Sequence, residues 1–503
     1  MFDSFALTDS PPSPANPAAL LEGLNPEQGM AVECTEGPLL VLAGAGTGKT
    51  RVLTHRVAYI LQSGLARPEE ILAVTFTNKA AKEMAERMDE ILGYPPHGMW
   101  LGTFHRLGVR FLRNHMELAG LKSGFVILDS DDQQRLMGQI VNDMNLDTKV
   151  FAPRLVAHVI SRFKDEAKAP EDLNGDEDAN LSGYAGKIYK EYQARLSALN
   201  AVDFGDLLLM PLKVLLKYPE VRTKYQNQLK YILVDEYQDT NGVQYQWLKC
   251  LAAAHKNICV VGDDDQSIYG WRGAKVGNIL SFERDFDGAK VVRLEQNYRS
   301  TAHILAAANA VIANNKTRHE KALWTQAANG ERVEVHALMD DREEARTVAE
   351  RCAREARGAR SFNDLAVLVR TAAQTRPLEE QFIKAGLPYV VVGGLKFYDR
   401  KEIKDLLAYL RVISNDVDTL ALQRIINVPK RGVGDATLKL IDDRSRAEGT
   451  SWLMALRELL GEGGISGKAG RELAGLVASF DTWRMVLQME APETLAERVL
   501  EES

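Results

Sequence analysis

The sequence predicts an α/β protein built on parallel sheets, and three observations carry that prediction. Short, nearly continuous apolar runs recur: "PLLVLAG" (Pro38 to Gly44), "ILAVTFT" (Ile71 to Thr77), "YILVDE" (Tyr231 to Glu236) and "ICVVGD" (Ile258 to Asp263). Strands covered on both faces read this way. Each run is followed by a polar turn and a helix-like stretch. A second set, "VVRLEQ" (Val291 to Gln296), "DLAVLVR" (Asp364 to Arg370) and "PYVVVGG" (Pro388 to Gly394), predicts a second α/β domain in series.

The intervals between the runs complete the outline. From about Arg106 to Asp203 the pattern is helical, with "APEDLNGDEDANLSG" as an acidic loop, and the chain reads as helical again after Asp399. Both stretches are read as helical insertions. The first twenty residues hold four prolines and many small side chains, which predicts a disordered leader and not a secretory signal. A chain of 503 residues is too long for one core. No apolar run is long enough to span a membrane. Cys34, Cys250, Cys259 and Cys352 form no CxxC pair, so neither a disulfide framework nor a zinc site is expected, and a reducing cytoplasm fits. Lys and Arg number 62 against 69 Asp and Glu, a net charge of −7. Any contacts to nucleic acid must therefore be gathered locally in a groove.

"AGAGTGKT" (Ala43 to Thr50) follows the first strand and precedes the helical "RVLTHRVAYILQSG". That is the setting of a phosphate loop. Gly44, Gly46 and Gly48 let backbone N–H groups, with those of Ala45 and Thr47, turn toward phosphates, and the helix start adds positive potential. Lys49 reaches the β and γ phosphates, and Thr50 holds Mg²⁺. A hydrolysing site also needs carboxylates. Asp235 is assigned to the Mg²⁺ shell and Glu236 to water activation, also at the metal, because both end a strand at the carboxyl edge of the sheet.

These motifs, taken in order, resemble the UvrD/PcrA/Rep family of superfamily 1A DNA helicases. "LNPEQ" (Leu24 to Gln28), "AVTFTNKAAKEM" (Ala73 to Met84), "GTFH" (Gly102 to His105), "VDFGDLL" (Val202 to Leu208), "VDEYQDTN" (Val234 to Asn241), "GDDDQSIYGWRGA" (Gly262 to Ala274), "LEQNYRST" (Leu294 to Thr301) and "YVVVGGLKFYDRKEIKDLLAYLRV" (Tyr389 to Val412) carry the likeness. The resemblance implies two RecA-like motor domains, each with a helical insertion. Its boundaries fall at 21–110 and 203–292 for the first motor domain, 111–202 for its insertion, 293–391 for the first part of the second motor domain and 392–503 for the second insertion. Residues 1–20 are the leader.

The resemblance also implies roles. Gln28 contacts adenine, Tyr298 packs on it and Arg299 is an arginine finger. Arg51 lines the nucleotide pocket, and Gln266, with Asp263 nearby, senses the γ-phosphate. Single-stranded DNA is gripped by Phe76, Tyr269 and Trp271, helped by Thr75, Asn78, His105 and Arg272, because stacking tolerates any base. Phe76 ends a strand and Trp271 sits among glycines, so the first has the stronger claim to a core position. Lys430, Arg431, Gly432 and Gly434 form a tight turn between helices that suits a duplex phosphate. Lys401 or Lys404 faces another phosphate. Asp264 and Asp265 are expected to cap their local turn.

The activity implied is an ATP- and Mg²⁺-dependent 3′→5′ translocase and helicase acting on single strands and on junctions with 3′ tails. A monomer or weakly self-associating protein, with repair or replication proteins as partners, is the expected form. The family's two last motor motifs, a coupling motif with glycine and lysine and a second catalytic arginine, are not found, so the second motor domain is expected to be incomplete. The alternative is an ATP-dependent DNA clamp without processive unwinding. A P-loop kinase or GTPase does not account for Gln28, Gln266 and the aromatic track.

Overall fold

The computed structural model describes residues 17–173, 181, 183–358, 360–392 and 400–503. The chain divides into two compact units, Met1–Val333 and Glu334–Ser503.

The first unit is organised by a six-stranded, wholly parallel sheet. In chain order its strands are β1 (Leu39–Ala43), β2 (Ile71–Thr75), β3 (Trp100–Thr103), β6 (Tyr231–Val234), β7 (Ile258–Gly262) and β8 (Lys290–Leu294). A separate two-stranded ribbon joins β4 (Val126–Ile127) to β5 (Ala201–Val202). The large sheet runs β3-β2-β6-β7-β1-β8. Every residue of β1, β2, β6 and β7 is buried, as their unbroken apolar composition requires. Opposite faces of the sheet pack separate cores. Leu40, Leu42, Leu72 and Val74 join Phe104, Phe111, Trp247 and Phe282 on one side. Leu39, Val41, Ile71 and Ala73 join Val52, Val57, Met84 and Met88 on the other.

Local chemistry sets the helix starts around this sheet. Asn25 and Gln28 form a reciprocal capping box at helix Pro26–Glu33. The Thr77 hydroxyl caps helix Asn78–Leu92, and that of Thr103 caps helix Phe104–Asn114. Helices Ser130–Asp143, Pro153–Asp165 and Ala185–Ala198 build the expected insertion between β3 and β6. Part of its acidic loop, 174–180 and 182, lies outside the described residues.

The insertion is joined to the start of helix Asp206–Lys217 by a buried charge cluster. The Lys164 ammonium, wholly enclosed, lies 2.7 Å from Asp203 and 2.8 Å from Asp206. The Tyr192 hydroxyl donates to Asp203 at 2.9 Å. Beside them, Asp165 accepts from the Asn241 amide at 2.8 Å. Burial, then the negative charge of Asp203, pushes the Asp165 carboxyl up to about 7.

Two expectations are corrected here. "VVRLEQ" does not open a second sheet: β8 lies against β1 in register from Leu39↔Lys290 to Ala43↔Leu294 and closes the first one. An apolar run favours an extended strand, but its partner is a tertiary choice. The expected leader also overlaps ordered structure at its end. Residues 1–16 are not described, but Pro17–Leu21 forms a 3₁₀ turn, and Leu21 packs against the core.

The second unit is helical among its described residues. Helices Lys401–Ser414, Thr419–Ile425, Asp435–Glu448, Trp452–Gly461, Gly467–Met489 and Pro492–Glu502 share one core around Tyr409, Leu456, Phe480 and Trp483. Helices Asp341–Ala356 and Thr375–Lys384 pack against each other. The runs "DLAVLVR" and "PYVVVGG" form no strand among the described residues, and residues 393–399 lie outside them. Leu368, Val390 and Val392 are open to solvent. Strand-like composition favours an extended backbone, but a strand needs a neighbour to take its N–H and C=O groups.

Candidate functional site

The phosphate loop leaves β1 and enters helix Lys49–Gln62. Gly48 has φ +90°, and a Cβ there would meet the Gln28 amide at 2.6 Å. Gly46 has φ +77°, and a Cβ there would meet the Arg299 Cβ at 2.6 Å. Only glycine permits both the turn and the close approach.

A cleft of about 340 Å³ opens above this loop. Ala45, Gly46, Gly48, Lys49, Thr50, Arg51, Glu236, Gln266 and Arg299 line it, together with Glu83 and Arg87. Nine residues selected from the sequence as nucleotide-site residues thus face one cavity. Lys49 donates to Glu236 at 2.9 Å. Glu236 follows the strand end with φ +49° and ψ +48°, the left-handed region, which is costly for a side chain of this kind. That backbone turn places its carboxylate on Lys49 and on the Gln238 amide, which donates to it at 2.8 Å. Burial, then the charge of Glu236, pushes Asp235 up to about 6, against the opposing pull of Lys49. A buried carboxylate with little cationic compensation suits a divalent ion, and Asp235, Glu236 and Thr50 are the residues that would hold it.

The residues expected around the base are placed differently from one another. Gln28 is buried beneath the loop, where its amide donates to the Thr47 carbonyl at 2.9 Å and its carbonyl accepts from Asn25 N at 3.1 Å. Tyr298 is exposed, and its hydroxyl accepts from the Asn25 amide at 3.0 Å. Asn297, which the sequence reading passed over, is buried. Its amide donates to the Ala45 carbonyl, and its carbonyl accepts from the N–H groups of Arg299 and Ser300 at 2.9 and 2.7 Å. Tyr298 N donates to the Gly46 carbonyl at 2.8 Å. The segment that carries Arg299 is therefore bonded directly to the phosphate loop. Position 297 follows a strand, and an Asn there reads as an ordinary turn residue, so the sequence held no sharper signal.

The aromatic candidates converge on a second surface. Phe76 and Tyr269 stack with ring centroids 5.1 Å apart and planes 26° apart. Trp271 lies 6.5 Å from Tyr269 and is 66% exposed, so it is not a core residue. The Arg272 guanidinium sits over both rings, at 5.0 and 4.7 Å. Phe76 is only half-buried, which settles its competing claim to the core. Asn78 is exposed, and its carbonyl accepts weakly from the Thr103 hydroxyl at 3.5 Å. His105 meets Phe204 edge-on at 5.8 Å, and burial lowers its imidazole pKa, favouring the neutral ring. Phe204, 53% exposed, is a further surface aromatic that the sequence did not single out, because "VDFGDLL" stood there only as a motif of the family likeness.

Three expectations change. Thr75 is buried, and its hydroxyl donates to the Thr77 carbonyl, so it shapes the turn and offers no side chain to a ligand. Arg431 points inward. Its guanidinium donates to the carbonyls of Ile425 and Val428, each at 3.0 Å, and to the Tyr409 hydroxyl. A buried cation with those bonds organises its own loop and is not free for a phosphate. Lys401, Lys430, Gly432 and Gly434 are exposed. Finally, the local cap in "GDDDQ" is Asp263, which accepts from Asp265 N at 3.1 Å, whereas Asp264 and Asp265 turn toward Lys321 and Arg318.

A parallel sheet whose carboxyl edge carries a phosphate loop, paired acids and an arginine defines a P-loop nucleotide hydrolase. Comparison with known proteins narrows the class. Residues 24–287 match the UvrD/REP helicase N-terminal domain, and residues 292–459 match the UvrD-like helicase C-terminal domain. A probable DNA helicase II homolog of Rickettsia conorii is 49% identical over 486 residues, covering 95% of this chain and 74% of the relative. DNA helicase II of Rickettsia typhi is 48% identical, covering 95% and 73%. The ATP-dependent DNA helicase PcrA of Staphylococcus aureus is 48% identical over 440 residues, covering 88% of this chain and 60% of the relative. The chain belongs to the UvrD/REP family of DNA helicases, enzymes that hydrolyse ATP, generally with Mg²⁺. No described helix is long and apolar enough to cross a membrane.

Proposed function

We propose that this chain hydrolyses ATP in the cleft above Lys49 and uses the cycle to move 3′→5′ along single-stranded DNA, opening duplex at junctions with 3′ tails. One observation carries the reading. Gln266, on the cleft, and Tyr269 and Trp271, on the aromatic platform, belong to a single segment of a few residues. A change at the γ-phosphate therefore has a short path to the bases.

In this reading Lys49 and Arg299 place positive charge on the transferring phosphoryl group, which is the main source of rate in this chemistry. Glu236 orients and deprotonates the attacking water, after nucleotide draws Lys49 from the carboxylate that holds it here. Thr50, Asp235 and Glu236 would hold Mg²⁺, which would supply positive charge to the phosphates. Tyr298 and Gln28 belong to the adenine side, with Arg51 on the pocket wall. Phe76, Tyr269, Trp271 and Arg272 hold bases by stacking, and Asn78 and His105 extend the track. Lys430 with the backbone of Gly432 and Gly434, and Lys401, meet duplex phosphates. A cytoplasmic setting and work in repair or replication fit such a substrate, as does a monomer or weakly self-associating form.

A second reading is an ATP-dependent clamp that binds DNA without unwinding it. Strand displacement separates the two. Unwinding from a 3′ tail but not a 5′ tail supports the motor. Tight ATP-dependent DNA binding with no displacement from either tail supports the clamp.

A further inference from the structure

Three consecutive aspartates follow β7, and a charged group from elsewhere in the chain holds all of them. The Lys321 ammonium lies 2.8 Å from Asp263, 2.7 Å from Asp264 and 2.8 Å from Asp265. Its side chain is 2% exposed. The Arg318 guanidinium adds a bond to Asp265 at 2.8 Å, and His319 N donates to Asp264 at 2.8 Å. An ion pair of this kind contributes little net stability, but removing one partner leaves uncompensated charge in a closed space. Burial opposes the charge on Lys321, and Asp263 leads the groups that outweigh it and raise its pKa.

The cluster is wired to the cleft on both sides. Asp263 accepts from the Gln266 amide at 2.6 Å, and Asp263 N donates to Gln238 at 2.9 Å. Gln238 donates to Glu236, which holds Lys49. From Lys321 the chain runs to Leu323, whose side chain lies where a Cβ on Gly44 would be, 2.5 Å away. Trp324 then bonds to Glu295 and Asn297, next to Arg299. One lysine thus ties the segment that bears Arg299 to the segment that bears Gln266, Tyr269 and Trp271.

We propose that Lys321 is a positioning residue for ATP hydrolysis. By gathering Asp263, Asp264 and Asp265, it fixes Gln266 on the nucleotide cleft and the aromatic platform behind it. Lys321 does not line the cleft, so it acts on turnover and not on nucleotide affinity. The inference rests on the reading that the cleft hydrolyses ATP.

The test compares the parent chain, Lys321→Met and the double variant Asp264→Asn/Lys321→Met. The readouts are DNA-stimulated kcat, KM for ATP, and hydrogen exchange over residues 262–273. Lys321→Met should lower kcat about 10- to 100-fold, the size of effect a small misplacement of a reacting group produces, with KM held within about three-fold. Exchange over 262–273 should quicken. The double variant removes one acid with the base, so it should recover most of the kcat and slow the exchange again. A merely structural loss would raise KM along with the fall in kcat and quicken exchange throughout the chain, whereas a positioning role confines the changes to kcat and to residues 262–273. Parental kcat and exchange in Lys321→Met, or a loss the double variant does not recover, overturns the proposal. If Lys321→Met does not fold, a folded double variant with parental exchange supports it, and an unfolded one overturns it. If the parent itself shows no DNA-stimulated hydrolysis, the proposed function fails, and exchange over 262–273 alone decides whether Lys321 holds the loop.

Discussion

Glu236 adopts a left-handed backbone that glycine or asparagine would take at less cost, and the strain buys its contact with Lys49. Each charged group at the cleft can be interrogated singly. Arg299→Ala should lower kcat by about 1,000-fold, as loss of a finger arginine does, with a much smaller effect on ATP binding, as read by single-turnover and equilibrium-binding experiments. Away from the cleft, Asp165 gives a pH prediction. It ionises near 3.8 in an unfolded chain and near 7 in this fold. Unfolding therefore releases a proton between those values. The cost to the folded state is absent below pH 3.8, grows as pH rises and is complete above 7. Asp165→Asn keeps a carbonyl for the Asn241 amide and removes the charge. It should stabilise the chain at pH 8 by up to about 4 kcal/mol, with solvent at the site reducing the gain, and by little at pH 4. Urea denaturation at the two pH values checks this.

At the scale of elements, the phosphate loop and the strand ends were legible because their chemistry is local. A glycine pattern between strand and helix, and acids at a strand end, carry their meaning within a few residues. What the sequence hid was pairing across distance. Nothing near Lys321 announces three carboxylates more than fifty positions away, and nothing in "VVRLEQ" says which sheet it joins. Arg431 was misjudged for the same reason: a basic residue in a glycine turn looks available until its carbonyl partners are known. The aromatic platform was legible by composition, but not the Arg272 lid over it. Trp271→Ala and Phe76→Ala should each weaken single-strand binding by about 1–3 kcal/mol, as fluorescence titration would show, with little dependence on base sequence. The joint between the insertion and helix Asp206–Lys217 is testable as well. Lys164→Met leaves Asp203 and Asp206 enclosed without their cation and should cost about 3–5 kcal/mol of stability in a denaturant titration.

For the whole molecule, the order of motifs fixed the family before any contact was known, whereas the domain organisation did not follow so directly. The first unit holds the six-stranded parallel sheet with the cleft above Lys49 and the aromatic platform on it. The second is helical among its described residues, where the strand-like runs form no ladder. On the proposed reading, in which a mildly acidic chain grips DNA through a few aromatic and basic groups, binding should show a shallower salt dependence than in a protein that coats the backbone with lysine and arginine. Titrations of a labelled oligonucleotide at several salt concentrations give that slope. The central claim is that the nucleotide cleft and the DNA platform act as one device. Steady-state ATP hydrolysis by the whole chain, measured against rising single-stranded DNA, tests it most directly. The account predicts a low basal rate that rises steeply and saturably with DNA and is lost in Lys49→Ala. A rate that is the same with and without DNA, while DNA is demonstrably bound, would contradict it.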